Sequence, residues 1–573
     1  MKLVRLWLRL ACASALLSAS GSAQVTTRVS VDSSGAQGTG DSSGPAMTPD
    51  GRYVAFDSYA SNLVPADTNN DCDVFVHDNQ TGLTILVSVD SNGIQGNGGS
   101  FVPSISADGR FVAFYSEATS LVPADTNGQM DIFVHDLQTG QTTRVSVDSN
   151  GVQGNGISYL TAISGDGRYV AFLSYANNLV PGDTNGVGDV FVHDSLTGQT
   201  TRVSVDSSGL EGNNVSFVPA ISADGRYVAF VSQASNLVAG DTNNALDVFV
   251  RDLQVGQTTR LSVDSSGMEG NGSSGDNRIS MSSDGRYVVF GSVASNLIAG
   301  DTNGSADVFA HDCQTGQTTR VGVDSGGGEG NGNSSAPSIS VDGRYVSFQS
   351  DATNLVPGDT NGHADVFLHD IQAGTTTLAS RSTSGSEGDG DSAWPSVSGD
   401  GQRVVFYSAA ANLVVGDTNG SFDVFLREDP CSGSISTYCT AKTNSLGCVP
   451  SIGSIGLPSQ SGPDNFYVTA SNVRNNKLGM MLWSLSQDSH PFFGGTLCLH
   501  APIKRTLGQN SGGNAAGSDC TGSYAYHFTQ AYMLQQLLGA NTTVYAQFWS
   551  RDPGFAPPNS IGLTNGLSFT ICP

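Results

Sequence analysis

One tripeptide recurs along the chain at nearly constant spacing. Asp-Gly-Arg begins at Asp50, Asp108, Asp166, Asp224, Asp284 and Asp342, and a seventh copy reads Asp400-Gly401-Gln402-Arg403. The intervals are 58, 58, 58, 60, 58 and 58 residues. A fixed period of this length means one supersecondary unit repeated, with each unit burying its apolar face against its neighbours. A second recurrent stretch lies between the markers. It reads DTNNDCDVFVHD from Asp67, DTNGVGDVFVHD from Asp183 and DTNGSFDVFLRE from Asp417, three of its seven copies.

One unit, starting at Phe217, parses into four strands. A short strand, PAIS, meets a tight Ala-Asp-Gly turn, where Asp can bond its own backbone and Gly accepts positive φ. RYVAFVS then alternates as a half-buried strand should. The long loop SNLVAGDTNNAL leads to DVFVRD, LQVG turns the chain, and QTTRLSVD is the fourth strand. Four antiparallel strands per unit, seven times over, predict a β-propeller. The seventh unit lacks a fourth strand, because Pro430-Cys431 begins another composition. Thr26-Thr27-Arg28-Val29-Ser30-Val31-Asp32 matches the missing strand and precedes unit one. The expected fold is therefore all-β: a seven-bladed β-propeller over residues 24–430, closed by its N-terminal strand. Closure removes sheet edges that would otherwise invite aggregation.

The pattern S-x-D-G-R-[YF]-V-A-F followed by D-V-F-V-x-D-x-x-T-G resembles the WD-like repeat of TolB-type propellers. It stands at Ser106 to Phe114, with its second half in variant form from Asp131 to Gly140. The resemblance covers residues 26–430 and implies the propeller fold. TolB proteins have six blades and an N-terminal α/β domain. This chain has seven units and a C-terminal module instead, so the resemblance does not imply a role in the Tol system.

Glycine is abundant, at 71 residues, and only 13% of residues are charged, which suits short strands and tight turns. One helical stretch stands out, near FTQAYMLQQLLGA. The formal net charge of −26 argues against nucleic-acid or anionic-membrane partners and is compatible with bound cations. Residues 1–23 have Lys2, Arg5 and Arg9, then a short apolar run, then Gly21-Ser22-Ala23. This is a signal peptide with cleavage expected after Ala23, placing the protein in the periplasm, on the cell surface or outside. Cys12 leaves with it. Cys72 and Cys313 lie in different repeats and are expected to be unpaired. Cys431, Cys439, Cys448, Cys498, Cys520 and Cys572 cluster in the last quarter and read as three disulfides of unassigned pairing.

Both long loops of a unit, SNLVPGDTNG and VDSxGxxGNG, fall on one face of a propeller, and loops are where binding concentrates. D-x-N-x-x-x-D offers three oxygen-bearing side chains, as calcium requires. The candidate ligands are Asp67, Asn69 and Asp73; Asp125, Asn127 and Asp131; Asp183, Asn185 and Asp189; Asp241, Asn243 and Asp247; Asp301, Asn303 and Asp307; Asp359, Asn361 and Asp365; and Asp417, Asn419 and Asp423. Asp78 lies too far along its strand to close the site, about 16 Å past Asp73 at ~3.3 Å per residue. Hairpin counting centred between Gln80 and Thr81 puts Asp90 opposite Asp71, beside Asp73. The same count offers Asp148, Asp206, Asp264 and Asp324 to their own loops, and Asp32 to unit seven. Unit six has Ser382 there, so its site is expected to be weakest. Asp and Asn at this spacing also make Asx turns without metal.

Two motifs look catalytic. His77-Asp78, His135-Asp136, His193-Asp194, His311-Asp312 and His369-Asp370 resemble half of a dyad, but they recur at a turn and read as structural. Gly40-Asp41-Ser42-Ser43-Gly44 matches G-x-S-x-G but lies in a blade-linking loop rather than a strand-to-helix elbow. Residues 431–573 alternate like strands and predict a small disulfide-tied β-sandwich. The segments NVRNNK, PFFGGTLCLHAPIKRT and QFWSRDPG resemble a module at the C-terminal end of varied secreted bacterial proteins. Trp483, Phe492, Phe493 and Trp549 could form a sugar platform or an ordinary core. The combined expectation is a secreted, monomeric, non-enzymatic propeller presenting calcium-supported loops to a protein or polysaccharide. The alternative is a polysaccharide lyase or glycosidase working in the channel.

Overall fold

The computed structural model describes residues 25–65, 67–428, 435–455, 458, 466–515, 517–539 and 542–571. The expected signal peptide, Cys431 and Cys572 lie outside these residues. The chain divides into two compact units, one over residues 24–432 and one over residues 433–573.

The first unit is all-β, with seven four-stranded antiparallel sheets. Sheet one consists of Ser42–Met47, Tyr53–Ser58, Asp73–Asp78 and Leu83–Leu86, in that order. Sheets two to six repeat this order. Sheet seven takes Ser392–Val397, Arg403–Ser408 and Asp423–Glu428 from the end of the repeats and Val25–Arg28 from their beginning. Thr27 pairs with Leu426, and Arg28 with Phe425. The first strands of successive sheets lie against one another, and Ser392–Val397 lies against Ser42–Met47. The Asp-Gly-Arg turns are also stitched together. Ala107 donates its N–H to the Gly165 carbonyl at 2.9 Å, Gly165 to Ala223 at 3.0 Å, and Gly399 to Pro49 at 2.7 Å.

The second and third strands are buried on both faces, Tyr53–Ser58 at all but its first residue and Asp73–Asp78 throughout, and they build the core. Phe56 and Phe75 are fully buried with ring centroids 5.8 Å apart, and Phe230–Phe249 repeats the pair at 5.7 Å. Burial of each such ring is worth about 1.5–3 kcal/mol. The arginine of each Asp-Gly-Arg turn clasps the acid ending the third strand. Arg110 Nη2 lies 2.7 Å from Asp136 Oδ2, and its guanidinium sits 4.6 Å from the Phe111 ring centroid.

The C-terminal unit contains two larger sheets. In one, Ser436–Tyr438, Gly566–Thr570, Thr543–Arg551, Leu478–Ser484 and Lys504–Arg505 are neighbours in that order. The other holds Ser451–Ile455, Tyr467–Val473 and Gly522–His527. The helix Gln530–Gln535 falls within the expected helical stretch and is capped by Thr529. Disulfides join Cys439 to Cys498 and Cys448 to Cys520, while Cys72 and Cys313 are free. Trp483 is fully buried and donates from Nε1 to the Tyr532 hydroxyl at 2.9 Å, so it belongs to the core and not to a surface platform.

Candidate functional site

Each DTN loop folds around its asparagine. Asn69 Oδ1 accepts from the Asp71 N–H at 2.9 Å, and Nδ2 donates to the Gly96 carbonyl at 3.1 Å. Asn185 behaves alike, accepting from Val187 N–H at 3.0 Å and donating to the Gly212 carbonyl at the same distance. Its Nδ2 also donates to Asp189 Oδ2 at 2.8 Å. Asn127, Asn243, Asn303, Asn361 and Asn419 make the same pair of backbone bonds. The side-chain oxygen that would bind a metal is committed to an Asx turn, and the amide group closes on the neighbouring loop. These asparagines are loop staples.

The aspartates do converge. Asp73, Asp131, Asp189, Asp247, Asp307, Asp365 and Asp423 open their third strands and are fully buried. One oxygen is held by a hydroxyl from the fourth-strand side: Ser88 Oγ donates to Asp73 Oδ1 at 2.5 Å and Ser146 Oγ to Asp131 Oδ1 at 2.6 Å. Sheet five has Gly322 at this position and lacks the bond. The other oxygen faces the first Asp of the loop, and a residue from the next loop bridges the two. Gln95 Nε2 donates to Asp67 Oδ1 at 2.8 Å and to Asp73 Oδ2 at 2.7 Å. Gln153 bridges Asp125 and Asp131, and Gln37 bridges Asp417 and Asp423. Sheets three to six carry Glu211, Glu269, Glu329 and Glu387 instead. Each accepts from the Thr of its DTN triplet, as Glu211 does from the Thr184 N–H at 3.1 Å.

A cation completes five of these centres, and it is an arginine from the fourth strand. Arg28 Nη2 lies 3.0 Å from Asp417, and Arg144 Nη1 lies 3.3 Å from Asp131. Arg202 Nη1 lies 2.7 Å from Glu211 and 3.6 Å from both Asp183 and Asp189. Arg260 repeats this with Asp241, Asp247 and Glu269, and Arg320 with Asp307 and Glu329. The register position facing the buried Phe is Leu86 in sheet one and Leu378 in sheet six. Sheet six thus gathers Asp359, Asp365 and Glu387 with a leucine where five other sheets have arginine. Asp359 is only 8% exposed and makes no hydrogen bond or ion pair with a described residue.

Burial pushes the carboxyls of Asp73, Asp183, Asp241, Asp307 and Asp359 up to about 6. For Asp183, Asp241 and Asp359, the next cause is the second Asp of the same centre. Glu329 moves the opposite way, down to about 2, held by Thr302 and Arg320. Two groups, Asp183–Asp189–Glu211 and Asp301–Asp307–Glu329, bring one oxygen from each carboxylate within 4.8 Å of one another and could hold a metal ion. In both, an arginine already supplies positive charge. The sheet-six acids are not drawn that close.

The expected fourth ligands are elsewhere. Asp90 Oδ1 accepts from the N–H groups of Asn92 and Ile94, both at 2.8 Å, and the residue is partly exposed. Asp32, Asp148, Asp206, Asp264 and Asp324 cap their own turns in the same way. The hairpin count was sound, but the ladder stops at Leu86 and the chain reverses, with Val89 bridged to Gln95. The residue delivered to the acid pair is therefore Gln95, five positions later. Ser382 does the capping in sheet six.

The catalytic-looking motifs are structural. His77 Nδ1 bonds Thr84 Oγ1 at 2.8 Å, and Thr84 Oγ1 donates to the Val31 carbonyl of the preceding unit at 2.6 Å. Asp78 is held by Arg52 and by its own turn, which lowers its carboxyl to about 2. Ser42 is fully buried and bonds Ser58 Oγ at 2.8 Å, a serine pair repeated at Ser100–Ser116 and in the other sheets.

No family model and no curated protein matches the chain. Among solved structures it is similar to an oligogalacturonate lyase in complex with manganese, at 14% identity, covering 72% of this chain and 94% of that one with a TM-score of 0.44. It is similar also to a putative TolB from Agrobacterium tumefaciens, at 16% identity, 61% and 94% coverage and a TM-score of 0.32. The β-propeller domain of the Trilobed protease from Pyrococcus furiosus gives 13% identity, 68% and 93% coverage and a TM-score of 0.42. At these values the likeness carries no substrate, activity or partner over to this chain.

Proposed function

We propose that the chain is a secreted, non-enzymatic binding protein. Its seven sheets are the blades of one ring closed by the N-terminal strand, and one loop face is offered to a protein or polysaccharide. The supporting observation is the acid centre itself. Through Asn69, Gln95 and their counterparts, each centre ties the DTN loop to the blade-linking loop, so the face is held rigid before any ligand arrives. Preorganisation of this kind lowers the ordering cost of binding. Two disulfides agree with an oxidising compartment. Among the described residues no helix is long and apolar enough to cross a membrane.

Calcium serves this face in sheet six. There Asp359, Asp365 and Glu387 lack the arginine that neutralises five other centres, and a hard divalent cation suits three carboxylates. Sheet one, with only Asp67 and Asp73, is bridged by the Gln95 amide. An enzyme would need an acid–base pair in the channel, and among the described side chains lining that cavity the charged one is Arg278.

Thermal melts with calcium and with EDTA test the metal reading. Calcium is expected to raise the Tm of the wild type and to leave Leu378→Arg unchanged, because that arginine takes the ion's place. An unchanged wild-type Tm would exclude the calcium centre. A glycan array and a surface-protein pull-down test the binding face; retention of neither class would remove that reading.

A further inference from the structure

The single irregular interval, 60 residues instead of 58, separates Asp224 from Asp284. Its two extra residues fall in the first strand of sheet five, Ser274–Met281, which has eight residues where the others have six. The pairing of that strand shifts between Ser274 and Ile279. Ser280 then pairs with Val289, as Ala46 pairs with Ala55 in sheet one. Counting two residues back, Arg278 stands where the other sheets have Gly44, Val102, Leu160, Val218, Ala336 and Trp394. Six positions of this ring are apolar or glycine, and the seventh is a cation.

All of these but Ala336 line a cavity of about 230 Å³, Val102, Leu160, Val218 and Trp394 together with Arg278 among them. Arg278 Nη1 donates to the Pro395 carbonyl at 2.8 Å, and its guanidinium lies 5.9 Å from the Trp394 ring centroid. No carboxylate among the described side chains pairs with it. A guanidinium carries five N–H donors, and only one hydrogen bond to a described residue uses them. Arg278 is half-buried, so its remaining donors are open to whatever occupies the cavity. The wall itself is strained. Val102, Leu160, Val218 and Trp394 have φ of 44°, 53°, 49° and 51°, a left-handed conformation that branched and bulky residues avoid. Such strain persists where the surroundings enforce it, and it clusters at ligand clamps.

We propose that this cavity is a binding site for a small monocarboxylate with one flat face. The carboxylate takes the fork of Arg278 N–H donors, the geometry in which arginine outperforms lysine. The flat face lies along Trp394 and the apolar wall. A volume below the roughly 300–1,000 Å³ of drug-sized pockets limits the occupant to a single ring. The inference is independent of the loop face and its metal.

Isothermal titration of the full-length protein with benzoate and with glucuronate, at fixed ionic strength, tests it. Benzyl alcohol and glucose serve as neutral counterparts. At least one carboxylate is expected to bind, its neutral counterpart at least tenfold more weakly. Arg278→Met should lose at least tenfold in affinity, and Arg278→Lys should recover part of it. The Tm of Arg278→Met without ligand should equal or exceed that of the wild type, since the substitution removes a half-buried cation held by one carbonyl. Binding of neither carboxylate, or equal binding to wild type and Arg278→Met, would overturn the proposal. A lower Tm for Arg278→Met without any carboxylate effect on the wild type would overturn it also, because Arg278 would then be a strut to Pro395.

Discussion

Arg202 and Leu378 occupy the same register position, each facing a buried phenylalanine, and they leave opposite electrostatics behind. Arg202 reaches three carboxylates within 3.6 Å; Leu378 brings the corresponding acids no charge. Arg202→Leu is therefore expected to destabilise the protein by about 2–4 kcal/mol, since it strands buried acids. Calcium should restore part of the loss, by copying sheet six. Urea unfolding with and without calcium measures both. The turn acids make a separate prediction. Asp78 and Asp312 have carboxyls lowered to about 2 by Arg52 and Arg286, below the usual value near 4. A depressed folded value means that their stabilisation is complete above pH ~4 and is lost as pH falls from there towards 2. Arg52→Met and Arg286→Met together should flatten the Tm-against-pH curve in that window and leave its shape above pH 4 intact.

At the scale of the strand and the loop, the repeat made most of the architecture readable. Alternation in YVAFVS and DVFVRD, with turn residues at fixed offsets, placed the second and third strands to within a residue; the first begins three residues before PAIS, and the fourth ends at Arg260, four residues before the end of QTTRLSVD. The acid centre was readable only in half. Asp67 and Asp73 carry the obvious spacing, but their bridge comes from Gln95, beyond a reversal that hairpin counting cannot anticipate. The arginine looked like an ordinary strand residue in QTTR, although its alternation with leucine across the repeats was present in the sequence. The bulged first strands were hidden for another reason: left-handed backbone at Val102, Val218 and Trp394 carries no glycine signal. Gly322 gives a test of the inferred hydroxyl support. Its Cβ position is 3.3 Å from Ser334 Oγ, a tight but ordinary neighbour in this repeat. Gly322→Ser should return the missing hydrogen bond to Asp307 and raise stability by about 1 kcal/mol, measured by chemical denaturation.

For the whole molecule, the joint between Val25–Arg28 and Asp423–Glu428 matters most, because it brings together residues nearly four hundred positions apart. Ser30 Oγ adds a buried bond to Asp423 Oδ1 at 2.6 Å, and Arg28 supplies the cation of that centre. A chain beginning after Asp32 should expose the edge of Asp423–Glu428 and self-associate, seen as a shift to higher mass in size-exclusion chromatography. Sheet six then decides the account of the loop face, in which arginine and calcium are alternative occupants of one repeated centre. The direct measurement is bound calcium per chain, by elemental analysis after dialysis against micromolar calcium. One ion in the wild type and none in Leu378→Arg is the predicted result; no bound calcium, or the same content in both proteins, would contradict it.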